Sequence, residues 1–207
     1  MELRFPDEQG LSDLANLVGR AKSADDAGAI RLQAAGTTLA AYVGLLPGGG
    51  LMRDGAVIGL RVMPLAEPAD LDVTVPLSAL TDRFARSRGP VLPVPPMTVS
   101  APWAAVAPPR GGWERVGAIA AEELYAVARE GISQVASGAP TDAGAPALTA
   151  LRRQVWGRAT TTTPPVPSGG AFAAYVLGFL QPGTDVTVWS HGRWTRLSTP
   201  AGHVLIR

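Results

Sequence analysis

Two kinds of repeat run along this chain: apolar residues at helical spacing, and apolar residues alternating with polar ones. Near the N-terminus, Leu11, Leu14, Leu17, Val18 and Ala21 form one helical stripe, with Ser12 and Asp13 near its start. "MELRF" before it reads as a short strand, and "AIRLQAA" and "TTLAAYVGLL" after it read as strands joined at Gly36. "AVIGLRVM" follows the Asp54-Gly55 turn signal, and "LDVTV" alternates as a strand should. Pro76 then suits a first helical position, and "PLSALTDRFARS" places Leu77, Leu80 and Phe84 at helical spacing.

Residues 89–112 change character. "GPVLPVPPMTVSAPWAAVAPPRGG" holds too many prolines for a helix or a central strand. It predicts an extended connection with an edge strand around "MTVSAPW". "WERVGAI" then leads into the helix "AAEELYAVAREGI", whose Glu122 and Glu123 favour the dipole of its first turn. "PALTALRRQVWG" puts Leu148, Leu151 and Val155 on one face. "TTTTPPVPSGG" at 160–170 is a proline-stiffened linker, and the segment Ala171 to Leu180 is apolar almost all round, as a central helix would be. "TDVTVWS" opens the terminal strands.

The pattern predicts an α+β fold with antiparallel sheets and about five helices. Its parts are an N-terminal α+β subdomain at 1–88, a proline-rich connection at 89–112, and a C-terminal α+β subdomain at 113–207 ending in a β-meander. The two parts also read as one continuous domain. "VPLSAL" and "IAAEEL" are similar strand-to-helix junctions, a faint internal echo.

The order strand, helix, strands, then a strand entering a helix through "VTVPLSAL" resembles one domain unit of a DNA sliding clamp. That resemblance covers residues 1–88. It implies a clamp-like topology in which the helices at 11–23 and 76–87 line a DNA channel, offering Arg20, Lys22, Arg83 and Arg86 to phosphates. Two departures stand against it: residues 89–207 do not repeat the pattern, and Asp13, Asp25 and Asp26 oppose phosphate. The chain as a whole also resembles uncharacterised proteins of GC-rich bacteria, which implies no function.

Composition narrows the chemistry. The 207 residues are 46% apolar and 17% charged, a globular composition. Cysteine is absent, which excludes disulfides, a thiol nucleophile and thiolate metal sites. "MELRFPDEQG" carries charges where a signal core would lie, and no apolar run nears the roughly 20 residues of a membrane span, so the expectation is a soluble, cytoplasmic protein. Lys22 is the only lysine among 18 basic residues, a mark of GC-rich coding. Residues 143–207 hold six arginines against the single acid Asp185, whereas residues 1–142 hold twelve bases against sixteen acids. That asymmetry suits either an anionic partner or packing of one region on the other.

No catalytic, cofactor-binding or metal-binding residue is nominated. "LLPGGGLMRDG" lacks the following helix and the lysine of a phosphate loop, and reads as a hairpin connection. His191 and His203 are the only imidazoles, at a spacing that fits no compact metal site. Ser190, Ser198 and Thr199 lie near them, but there is no GxSxG elbow and no carboxylate placed to orient either ring. Glu122 and Glu123 diverge by about 100° on a helix and cannot face each other as an acid–base pair.

The remaining candidate is "SHGRWTRLSTPAGHVLIR". A two-residue loop at His191-Gly192 pairs Trp189 with Trp194, leaving Val186, Val188, Thr195 and Leu197 on a core face. A three-residue loop at Pro200-Ala201-Gly202 pairs Leu197 with Leu205; a two-residue loop at Ala201-Gly202 pairs it with Ile206. Trp189, Trp194 and Arg196 then share the other face. Either another layer covers them, such as the 160–170 linker or a subunit partner, or they form an exposed platform. The platform would bind a partner protein or, as a second choice, single-stranded nucleic acid. The functional expectation is a non-catalytic interaction or scaffold protein with a protein partner or a second copy of itself. Its alternatives are a nucleic-acid-associated clamp-like protein and a hydrolase-type enzyme with an unrecognised site; a membrane partner is not expected.

Overall fold

Asp7, rather than Ser12 or Asp13, starts the first helix. Its carboxylate accepts the Gly10 N–H at 2.9 Å, so α1 runs Glu8–Ala24 and begins three residues before the apolar stripe. Leu14, Leu17, Val18 and Ala21 are buried along that stripe, while Asp13 pairs with Arg61 at 2.6 Å. The computed structural model describes residues 1–50, 52–87, 89–138 and 144–207. It forms two compact units: Met1–Leu45 with Gly59–Ala107, and Leu46–Ile58 with Pro108–Arg207.

The first unit holds α1, β1 (Glu2–Arg4), and most of two long strands, β2 (Ala29–Gly49) and β3 (Asp54–Pro76). The expected break at Gly36 is absent: β2 continues through it, and glycine absorbs the local kink with φ of 57°. The strands read at "AVIGLRVM" and "LDVTV" are likewise one strand, despite Pro64 and Pro68 between them. On the side away from β2 the sheet order gives β3 only a five-residue neighbour, so most of its 23 residues run past that strand, where proline is tolerated. Pro76 ends β3 and α2 (Leu77–Phe84) follows at once, with Leu77 and Leu80 buried against the core.

The proline-rich stretch makes no strand at "MTVSAPW", because a single bond from Val99 N to Thr74 O holds it. Instead, β4 (Val91–Pro93) pairs antiparallel with β1, and Pro102–Ala105 forms a short 3-10 turn. That turn is anchored by Arg31, which grips Asp72 with two bonds of 2.7 Å and donates to Ala104 O at 2.9 Å. It seats Trp103 over Gly44.

The second unit holds β5 (Glu114–Ala120), α3 (Ala121–Gly138), α4 (Ala145–Trp156), α5 (Ser168–Val176), β6 (Asp185–His191), β7 (Trp194–Thr199) and β8 (Gly202–Ile206). With the tips of β2 and β3, its strands lie in the order β2-β3-β8-β7-β6-β5. The last four are antiparallel neighbours, and β6, β7 and β8 form a meander. Helix α5 is central, buried over seven consecutive residues. It starts at Ser168 rather than Ala171, drawing the end of the expected linker into the helix. Gly170 permits this, since a Cβ there would lie 2.5 Å from Ile206 and 3.0 Å from Leu197. The fold is α+β, with five α-helices among the described residues.

Candidate functional site

The terminal hairpins differ from the expected registers. Gly192 and Arg193, not His191 and Gly192, form the first turn, with glycine in the leading position at φ of 56°. Trp189 therefore pairs with Arg196, and Trp194 pairs with His191. The two tryptophans are not cross-strand partners. The slip is two residues, so the faces survive: Val188 opposes Leu197 instead of the expected Thr195, and both stay on the core side.

The second turn is Pro200-Ala201, which pairs Thr199 with Gly202 and Leu197 with Val204, the pairing of neither expected loop. The Thr199 hydroxyl organises it, accepting from Ala201 N and donating to Gly202 O, each at 3.2 Å. Gly202 belongs to β8 because a Cβ there would lie 2.6 Å from the Phe179 ring. This register puts Val204 and Ile206 on the core face, and sends His203 and Leu205 to the other.

That other face carries a stack of rings and cations. Arg196 lies between two indoles, its guanidinium carbon 4.7 Å from the Trp113 centroid and 4.9 Å from that of Trp189. Trp113 was not among the expected residues. It sits one residue before β5, where its Nε1 donates to Pro109 O at 3.0 Å. A β-bulge at Val116 leaves Arg115 opposite Trp189. His191 tilts against Trp113 with centroids 5.9 Å apart, and its Nδ1 donates to Gly112 O at 2.8 Å.

Trp189, Trp113 and Arg196 are half-buried, whereas Trp194 is buried, with Arg207 over its ring at 5.6 Å. Trp194 is thus a support of the face, not its exposed anchor. The 160–170 linker lies elsewhere: Pro164 packs on Gly117, the partner of core-facing Val188. Its Thr160 and Thr162 hydroxyls bond each other at 2.6 Å inside the fold.

Burial lowers the Arg196 pKa from its usual value, and its Nε is buried without a hydrogen-bond partner. Burial, and then the positive charge of Arg196, also lowers His203 below 6.5. The folded chain therefore holds this proton less firmly than the unfolded chain. The corresponding stability is complete above pH 6.5 and declines as the pH falls through that value towards the lowered one. His203→Asn should flatten this acid-side slope, as read from urea midpoints at about pH 7.5 and about pH 5. An unchanged slope would remove His203 as its source.

Ser198 and His203 are brought together, with Oγ 3.0 Å from Nδ1. Among the described residues no carboxylate hydrogen-bonds either imidazole, so the third group of a triad is missing. Nor does any group of three potential metal ligands occur among them. Glu122 is committed to structure: its carboxylate accepts Gly183 N at 2.6 Å, which lowers its pKa.

The four cations offered for a DNA channel lie in the first unit. Arg20 and Arg86 are exposed, Arg83 is half-buried, and Lys22 pairs with Asp26. That unit holds eight basic against ten acidic residues.

Comparison with solved structures finds DNA polymerase sliding clamps. The clamp of Pseudomonas aeruginosa matches over 100% of this chain and 64% of its own, with 12% identity and a TM-score of 0.52. The β sliding clamp of Caulobacter crescentus matches over the same shares, with 14% identity and a TM-score of 0.50. The chain thus has a clamp-like topology and spans 64% of the clamp chains it matches. No curated protein matches its sequence. Residues 1–105 match the family model "Domain of unknown function (DUF8010)", and residues 108–207 match "Domain of unknown function (DUF8185)". No helix among the described residues is long and apolar enough to cross a membrane.

Proposed function

Because the chain belongs to the DUF8010 family and has a clamp-like fold, we propose that it is a non-catalytic binding module whose sheet face in the second unit docks a protein partner. One observation carries this reading: Arg196 is clamped between Trp113 and Trp189 on a partly exposed face. Tryptophan and arginine supply large, stiff contact area and dominate the energetics of many interfaces. Here they are held in place before any partner arrives, so less conformational entropy remains to be lost on binding.

The test is a photo-crosslinking amino acid placed in cells at Arg115, on this face, and separately at Arg20 and Arg83. The expected result is discrete protein adducts from position 115 that vanish when Trp189→Ala is added to the same chain. Adducts indifferent to Trp189→Ala would overturn the reading.

The fold likeness favours a second reading, in which α1 and α2 present Arg20, Lys22, Arg83 and Arg86 to DNA. It predicts crosslinks to nucleic acid from positions 20 and 83. It also predicts duplex binding that weakens steeply with salt, the slope falling by about 0.9 for each phosphate contact removed in Arg83→Ala and Arg86→Ala. The near balance of charges in that unit is what places it second.

A further inference from the structure

We infer that the partner segment seated on this face is acidic, its carboxylates taken by Arg196 and Arg115. The inference rests on the binding-face reading above and gives that face its ligand chemistry.

Arg196 brings an uncompensated charge to the face. Among the described residues Arg196 forms no ion pair, although each of Arg4, Lys22, Arg31 and Arg61 does. Its Nε is shut off from solvent without a hydrogen-bond partner. A guanidinium partly stripped of water and given no carboxylate is costly to the free protein, and an incoming carboxylate offsets that cost. The two indoles also hold the planar fork still, which suits two-point binding of a carboxylate.

The surroundings agree. The register places Arg115, Arg196, His191, His203 and Arg207 on one face of β5 to β8, against a single acidic residue of those strands, Asp185. Glu114 opposes Ser190 on the core side, and Asp185 opposes Ala120 at the far end of β6, four residues from Trp189. Asp54 lies at the margin, 3.9 Å from both Arg193 and Arg207.

Stacking decides between an acidic peptide and a single-stranded nucleic acid. Base binding needs free aromatic faces. Here the Arg196 guanidinium lies over both indole rings, and Trp113 also carries His191. Rings already engaged by a cation offer a base less to stack on, which favours a carboxylate.

The experiment selects from a displayed library of random short peptides on the full-length protein. It then measures a glutamate-rich peptide and an oligo-dT of equal charge by fluorescence anisotropy. Selected peptides should be enriched in Asp and Glu, and the glutamate-rich peptide should lose at least about tenfold in affinity with Arg196→Gln and with Arg115→Glu. Arg115 is exposed, so Arg115→Glu still reports if Arg196→Gln fails to fold. Peptides that require Trp189 without acidic enrichment would overturn this inference and leave the binding face standing. Tighter, Arg196-dependent binding of oligo-dT would replace the acidic peptide with nucleic acid. Failure to select any Trp189-dependent peptide would overturn both readings.

Discussion

Trp156→Ala is expected to cost the second unit about 3–5 kcal/mol, the largest single loss predicted for this chain. Trp156 closes α4 at 3% exposure and stacks on Phe172 of α5 with centroids 4.5 Å apart. Its six-membered ring also lies on Gly131 of α3, where any Cβ would overlap it. One indole therefore joins three helices, and truncation leaves a cavity that rigid neighbours fill only in part. Urea unfolding followed by circular dichroism measures the loss, and a cost below about 1 kcal/mol would show that the helices close over the gap. Gly131→Ala should destabilise through the opposite fault, by about 1–3 kcal/mol, because its methyl has no room beneath the ring.

The second large effect belongs to the first unit. Gly44→Ala should cost about 1–3 kcal/mol, since its Cβ would fall within the indole of Trp103. Trp103 cannot retreat easily: it is buried in the 3-10 turn, which Arg31 holds through Ala104 O. The cost should shrink when Trp103→Leu is present, because the smaller side chain vacates the space. A double-mutant cycle measures this coupling, and strict additivity of the two changes would mean that the contact does not constrain the strand.

These two contacts mark the limit of reading elements from sequence. The stripe through Leu14, Leu17, Val18 and Ala21 is visible because a helix repeats its face every few residues. The buried sweep of α5 is visible because no polar face interrupts it. Gly44 and Gly131 look like ordinary weak points of a strand and a helix, and their reason lies some 59 and 25 residues away in Trp103 and Trp156. Helix starts are intermediate. Asp7 is a good cap, but so are Ser12 and Asp13, and only the bond to Gly10 N separates them.

The candidate face followed the same division. Alternation alone placed Trp189 and Arg196 on one side of the sheet. Their pairing depended on which residues turn the chain, and Trp113 entered only through the β5–β6 contact. Trp194 carried the same signal as Trp189 in the sequence, yet it is buried with Arg207 over its ring.

For this protein, local order of side chains determined the element types, the core faces and the exclusion of thiol chemistry. The paths of β2 and β3 through Gly36, Pro64 and Pro68, both hairpin registers and the caging of Arg196 were decided by tertiary structure. The physical reason is range. Periodicity is written within one or two turns of chain, whereas competing turns such as His191-Gly192 and Gly192-Arg193 differ little locally. The choice between them falls to what the distant strands and rings bury together.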